Sequence, residues 1–126
     1  MNRFWAALIL LATLLCACIA SATTVNNFSN QTIDHLEKAM DHAEQKNYAA
    51  ANAYCKQAQN LWSSKASLIG SLLRHSEADK VGTGLVQLVS YSATADHDEF
   101  LALCAEVIHD IHHVRDMEFP LLRNIL

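Results

Sequence analysis

The sequence predicts an all-α protein: a small four-helix bundle, built as helical hairpins, with a short apolar C-terminal tail and an N-terminal hydrophobic export segment. Three observations carry this. The chain is 52% hydrophobic with three Gly and one Pro in 126 residues, which favours packed helices over a loop-rich or disordered chain. Apolar residues recur at steps of three and four along most of its length. The longest such line, over residues 48–75, joins Ala51, Cys55, Ala58, Trp62, Ala66, Ile69 and Leu73, widened by Tyr54, Leu61, Leu68 and Leu72. A helix there would be roughly 40 Å long at 1.5 Å per residue. It cannot bury such a face alone, so the segments before and after it must cover it.

In chain order, residues 1–22 read as a signal peptide or N-terminal membrane anchor. Arg3 precedes an uncharged run of nineteen residues, 4–22. Ala20-Ser21-Ala22 has the small-x-small form of a cleavage site before Thr23. The same run approaches bilayer-spanning length, and Leu15-Cys16-Ala17-Cys18 is a degenerate lipobox with Cys18 as the lipidated residue. Cleaved signal, retained anchor and lipoprotein therefore stand as alternatives. All three place the domain outside the cytoplasm, because positive charge lies only before the run and the next basic residue is Lys38. The expected location is the outer face of the cell membrane, or the medium if the leader is cleaved.

Residues 23–31, with Asn26, Asn27, Ser29 and Asn30, read as a polar linker ending in a helix N-cap. Asn27-Phe28-Ser29 and Asn30-Gln31-Thr32 match the N-glycosylation triplet. Residues 32–126 then form a single helical domain. Its first helix runs from about Asn30 to Lys46, with Ile33, Leu36, Met40 and Ala43 inside. Asn47 closes it and Tyr48 opens the long helix. Alanines at 49, 50, 51, 53 and 58 let the two helices approach closely as an antiparallel pair, and no second copy marks a repeat array.

The long helix is expected to end near His75. Ser76-Glu77-Ala78-Asp79 supplies a new N-cap, and a third helix follows to about Ala93 with Val81, Leu85, Leu88 and Val89 inward. Gly82 and Gly84 either weaken it, by roughly 1 kcal/mol each relative to Ala, or mark a close helix–helix approach. Asp96-His97-Asp98-Glu99 is a second capping box. Behind it, Phe100, Leu103, Cys104, Val107, Ile111 and Val114 define a fourth helix to about Glu118. Phe119-Pro120 is expected to stop it, leaving residues 121–126 as an apolar tail that packs back on the bundle.

Net charge is −4, and without Arg3 the domain sets eight basic against thirteen acidic residues. With no basic stripe, the charge balance argues against nucleic acid as a partner and against electrostatic attraction to anionic lipid. His109 and His113 stand one turn apart, with His112 beside them and Glu106 and Asp116 in line. Two such histidines can hold one Zn²⁺, but a site needs a third and usually a fourth ligand. His75 and Glu77 would complete it if the fold brings them near. The competing reading makes these histidines structural, at helix ends whose dipole favours them. Cys55 and Cys104 lie on inner faces and form either one disulfide outside the cytoplasm or two small buried thiols. No base is arranged to activate either, and Ser63-Ser64-Lys65 lies mid-helix with no oxyanion donor in view.

The sequence thus predicts a non-enzymatic extracytoplasmic module that needs no cofactor. It acts by contact with a protein or envelope component, and touches the membrane through its N-terminal segment if that is kept. The alternative is a small exported protein that binds zinc or another divalent metal through His109, His113 and His75.

Trp62, the stretch Leu73-Arg74-His75-Ser76-Glu77-Ala78-Asp79, Leu85, Leu88, Tyr91, Asp96, His113-Val114, Glu118 and Leu122-Arg123-Asn124-Ile125-Leu126 occur in a recognisable order. Over roughly residues 62–126 the chain resembles the bacterial family known as domain of unknown function 4363. Its members are short, begin with a hydrophobic segment and end in a similar Asn-Ile-apolar tail. The matching residues of unknown role are Trp62, His75, Glu77, Asp79, His113, Glu118 and Asn124. Pro120, and the glycines at 82 and 84, depart from the family pattern. The resemblance implies an exported small helical domain and brings no activity with it.

Overall fold

A computed structural model describes the backbone of residues 2–69, 75–94 and 96–125, and the side chains of residues 2–65, 76–94 and 96–116. The chain is all-α, with four helices: α1 (Asn2–Glu44), α2 (Tyr48–Ile69), α3 (His75–Thr94) and α4 (His97–Ile125). α1 packs on α2 and α4, and α3 packs on the same two, so the helices close a ring around one core. The connections at 45–47 and 95–96 are too short to join anything but antiparallel neighbours.

The first departure from the sequence reading is the linker. Residues 23–31 are helix, and α1 runs unbroken for 43 residues. Its buried residues are Ala22, Val25, Phe28, Ser29, Thr32, Ile33, Leu36, Ala39 and Ala43. They advance mostly by three and four, so the stripe that faces the core begins well before Asn30. Burying Val25 and Phe28 outweighs the weak helix preference of the Asn, Ser and Thr residues between them. The polar residues Asn27, Asn30 and Gln31 stay exposed. Both glycosylation triplets turn their hydroxyl residue inward: Ser29 and Thr32 are fully buried, and Thr32 Oγ1 donates to the Phe28 carbonyl at 2.8 Å.

α1 ends as expected. Asn47 N–H donates to the His42 carbonyl (2.8 Å) and Lys46 N–H to that of Ala43 (3.0 Å), with Lys46 at φ 61°. This is a Schellman motif with a lysine where glycine is usual. Asn47 then caps α2, its Oδ1 accepting from Ala50 N–H at 3.3 Å.

Trp62 is the largest fully buried side chain of the core. Its ring meets Phe28 of α1 edge-on at 5.3 Å, and its Nε1–H donates to the Ala78 carbonyl of α3 at 3.2 Å. It belongs to one contiguous cluster that also holds Leu36, Ala58, Val81, Leu85, Leu88, Phe100, Val107 and Ile111.

The two glycines of α3 have different reasons. A Cβ on Gly84 would stand 2.6 Å from Val107 Cγ2 of α4, whereas one on Gly82 would meet Trp62 Cδ1 at an ordinary 3.9 Å. Close approach therefore explains Gly84 alone. Gly84→Ala is expected to destabilise by about 1–3 kcal/mol, the usual range for overpacking. Gly82→Ala should be neutral or stabilising by up to about 1 kcal/mol from helix propensity. Urea denaturation of the two variants checks the pair, and equal shifts in midpoint would contradict it.

α3 opens at His75, one residue before the expected cap, so His75 begins the third helix instead of closing the second. At α4, Phe100 N–H donates to the Asp96 carbonyl at 2.9 Å, as an N-cap at Asp96 requires. The second departure is at the far end: α4 continues through Pro120 to Ile125. A proline inside a helix gives up one backbone hydrogen bond at a cost of about 3 kcal/mol. Here it follows more than twenty residues of helix already fixed by the buried Phe100, Cys104, Val107, Ile111 and Val114, so propagation is not halted. The packing expected of the tail, and the side chains of His75, Glu118 and Asn124, lie outside the described residues.

Candidate functional site

Among the described residues of the bundle, large apolar side chains are mostly turned into the core. Among the described residues the large exposed hydrophobics are Val86, 53% exposed on α3, and a series on α1 from Phe4 to Ile19. Val86 falls off the inward stripe of Val81, Leu85 and Leu88, and this is the signal by which sequence reading could have singled it out. It borders an open cleft of about 560 Å³ between α2 and α3, lined also by Trp62, Ser63, Ala78, Asp79 and Gly82. The cleft exists because Ala78 and Gly82 carry no side chain beyond Cβ, and it lies over the Trp62 indole, which stays buried beneath it. The exposed Asp79 carboxylate stands at its rim. Trp62 and Asp79, singled out from the sequence, thus share one surface feature.

The residues of the metal reading do not converge where they are described. His109 and His113 are exposed on α4, as is Glu106. His112 Nδ1 lies 2.7 Å from Arg115 Nη2, and Arg115 Nη1–H donates to Asn30 Oδ1 of α1 at 2.7 Å. This arginine ties α4 to α1. Glu77 is half-buried in the first turn of α3. Among the described residues no three His, Cys, Asp or Glu side chains come together to hold a metal ion.

Cys55 and Cys104 are both free thiols buried in the core. Burial pushes the Cys55 thiol from its ordinary 9.0 up to about 12, against a smaller opposing effect of the Ser92 hydroxyl. Cys104 is pushed up too, by burial first and by Cys55 second. Thiols held this firmly protonated are poor nucleophiles. Ser92 belongs to a small polar group: Asn52 Nδ2–H donates to Ser92 Oγ (2.9 Å) and to the Val89 carbonyl (3.1 Å), and Ser92 Oγ–H donates to Val89 as well (2.8 Å). Asp110, almost buried on α4, pairs with the exposed Lys80 of α3 at 3.4 Å.

Sequence reading missed one cluster. The His42 imidazole stacks on Tyr54 of α2 with centroids 5.3 Å apart and planes at 15°. His35 lies 6.2 Å from the same ring, and Lys38 Nζ, paired with Asp34 at 3.1 Å, lies 6.0 Å from its centroid. The i, i+3, i+7 spacing of His35, Lys38 and His42 was the available signal. The buried Nδ1 atoms of His35 and His42 have no hydrogen-bond partner.

No curated protein matches this chain, and no solved structure does. One family does, over residues 19–125, nearly the whole of the bundle: the chain belongs to the family described as domain of unknown function (DUF4363).

Proposed function

We propose that the chain is a non-enzymatic, extracytoplasmic helical module, held at the cell membrane through the first half of α1 and acting by contact with a protein or envelope component. One observation carries this reading. The bundle closes over its own core, while the apolar part of α1, at mean hydropathy 2.4 over 18 residues, has none of that window covered. Lipid is the solvent in which such a segment is stable, since about 20 apolar residues of helix match a bilayer's hydrocarbon thickness. Arg3 before the segment, with no further basic residue until Lys38, favours an outward-facing bundle. The α2–α3 cleft, with Trp62 at its base and Val86 on its rim, is the contact surface this reading assigns. The protonated, buried thiols favour a contact role over nucleophilic chemistry.

The expected result is that the protein sediments with membranes and resists alkaline carbonate extraction. A cysteine placed at Lys46 in a C16A/C18A background should react with a membrane-impermeant maleimide in intact cells. A protein in the soluble fraction, or labelling that needs lysed cells, would overturn the reading.

A further inference from the structure

Three fates of residues 1–22 are compatible with export, and the junction between the apolar segment and the bundle separates them. It has no break. Thr23 Oγ1 donates to the Ile19 carbonyl and Thr24 Oγ1 to that of Ala20, each at 2.8 Å. The hydroxyls that would cap a helix starting at Thr23 instead reach back across the expected cleavage bond. On either side of that bond Ala22 and Val25 are already in the core, 5% and 2% exposed. Cleavage after Ala22 would remove both carbonyl acceptors and a buried residue together.

The segment before the junction has the features of a helix within lipid. Phe4, Trp5, Leu8, Ile9, Leu10, Leu11, Leu14 and Ile19 are all exposed, and at 100° per residue they point around the whole circumference. A protein partner covers one face of a helix; a bilayer covers all of them. Thr13, mid-segment, satisfies its hydroxyl internally by donating to the Ile9 carbonyl at 2.8 Å, as a polar group without water must.

We propose that α1 is kept whole: residues 2–21 span the bilayer, and the bundle stands upright on them with no linker, its 45–47 turn directed away from the membrane. This rests on the membrane reading above. With Ala22 at the base, the 22 residues from there to Glu44 lift the turn by roughly 33 Å. The exposed charges suit this posture. Asp41, Glu44, Asp96, Asp98 and Glu99, all exposed, gather with Lys46 at the far end, where the posture leaves them in water, away from lipid.

The test is the intact mass of the detergent-extracted full chain, with a depth measurement beside it. The expected mass retains residues 1–22. A mass lacking residues 1–22 overturns the proposal. So does one lacking residues 1–17 with a diacylglyceryl group added, although that protein would still sediment with membranes and leave the membrane reading standing. An unprocessed protein in the soluble fraction overturns both. For posture, fluorophores at K46C and S76C in the C16A/C18A background are exposed to a quencher carried on lipid headgroups. Quenching at 76 and none at 46 is expected, and equal or stronger quenching at 46 overturns the upright bundle.

Discussion

Replacing Trp62 with Ala is expected to lower folding stability by about 3–5 kcal/mol, the range for truncating a buried large aromatic side chain. Three contributions point the same way. The indole fills the space among α1, α2 and α3, its ring meets Phe28 edge-on, and its buried N–H finds its acceptor in the Ala78 carbonyl. A domain of this size holds only about 5–15 kcal/mol in total, so the variant should sit near its limit. Trp62→Phe separates the contributions. It keeps an aromatic ring against Phe28 but removes the indole N–H bond to the Ala78 carbonyl, which keeps its place in the α3 helix, and should cost less than the Ala variant. Urea denaturation of both, compared by midpoint at constant slope, checks this. A Trp62→Ala loss below about 0.5 kcal/mol, the scale of an ordinary surface change, would contradict a buried, tightly packed Trp62.

The second large effect is alkaline. Cys55 is held protonated to about 12 in the folded chain, against 9.0 without its surroundings, and Cys104 shifts the same way. Below pH 9 both states keep their protons, and the thiols add no pH dependence. Above it the unfolded chain releases protons that the folded chain retains, so stability falls as pH climbs from 9 towards 12. The slope approaches about 1.4 kcal/mol per pH unit for each thiol. The comparison is between the reduced protein and a C55A/C104A variant. The Ala variant starts lower because of the cavities it creates, but its stability should fall less steeply above pH 9. The difference in slope, not in level, is the readout, and parallel curves would contradict buried thiols.

Most of the bundle was legible in the sequence because its inner faces are nearly pure. Spacing alone turns Ile33, Leu36, Ala51, Cys55, Ala58, Trp62, Val81, Leu85, Leu88, Phe100, Cys104, Val107, Ile111 and Val114 inward, and all are buried; Met40, Val89 and Leu103, on the same stripes, are half-buried at the core's edge. The helix starts at Tyr48 and His97 followed from Asn47 and Asp96, whose side chains or carbonyls cap them. Two stretches misled for one reason: residue type outweighed register. In 23–31 the count of Asn, Ser and Thr spoke for a loop, although Val25, Phe28, Thr32 and Leu36 already kept helical steps. At Pro120 the local preference of its neighbour spoke for a stop, although the helix had a long buried stripe behind it. The candidate contact surface was half visible. Trp62 and Asp79 stood out, but a cleft depends on what is missing, and the small side chains at 78 and 82 become informative only when α2 and α3 are placed side by side. The Tyr54 stack is not legible in spacing alone: His35, Lys38 and His42 share one face of α1, and only the packing of α2 brings Tyr54 against them.

The continuity of α1 is the central claim, and hydrogen–deuterium exchange of the full chain in lipid nanodiscs tests it most directly. A helix that runs from the bilayer into the core predicts slow exchange throughout, with no gap at residues 23–31. Fast exchange confined to 23–31, between a protected apolar segment and a protected bundle, would restore the linker and contradict the single helix.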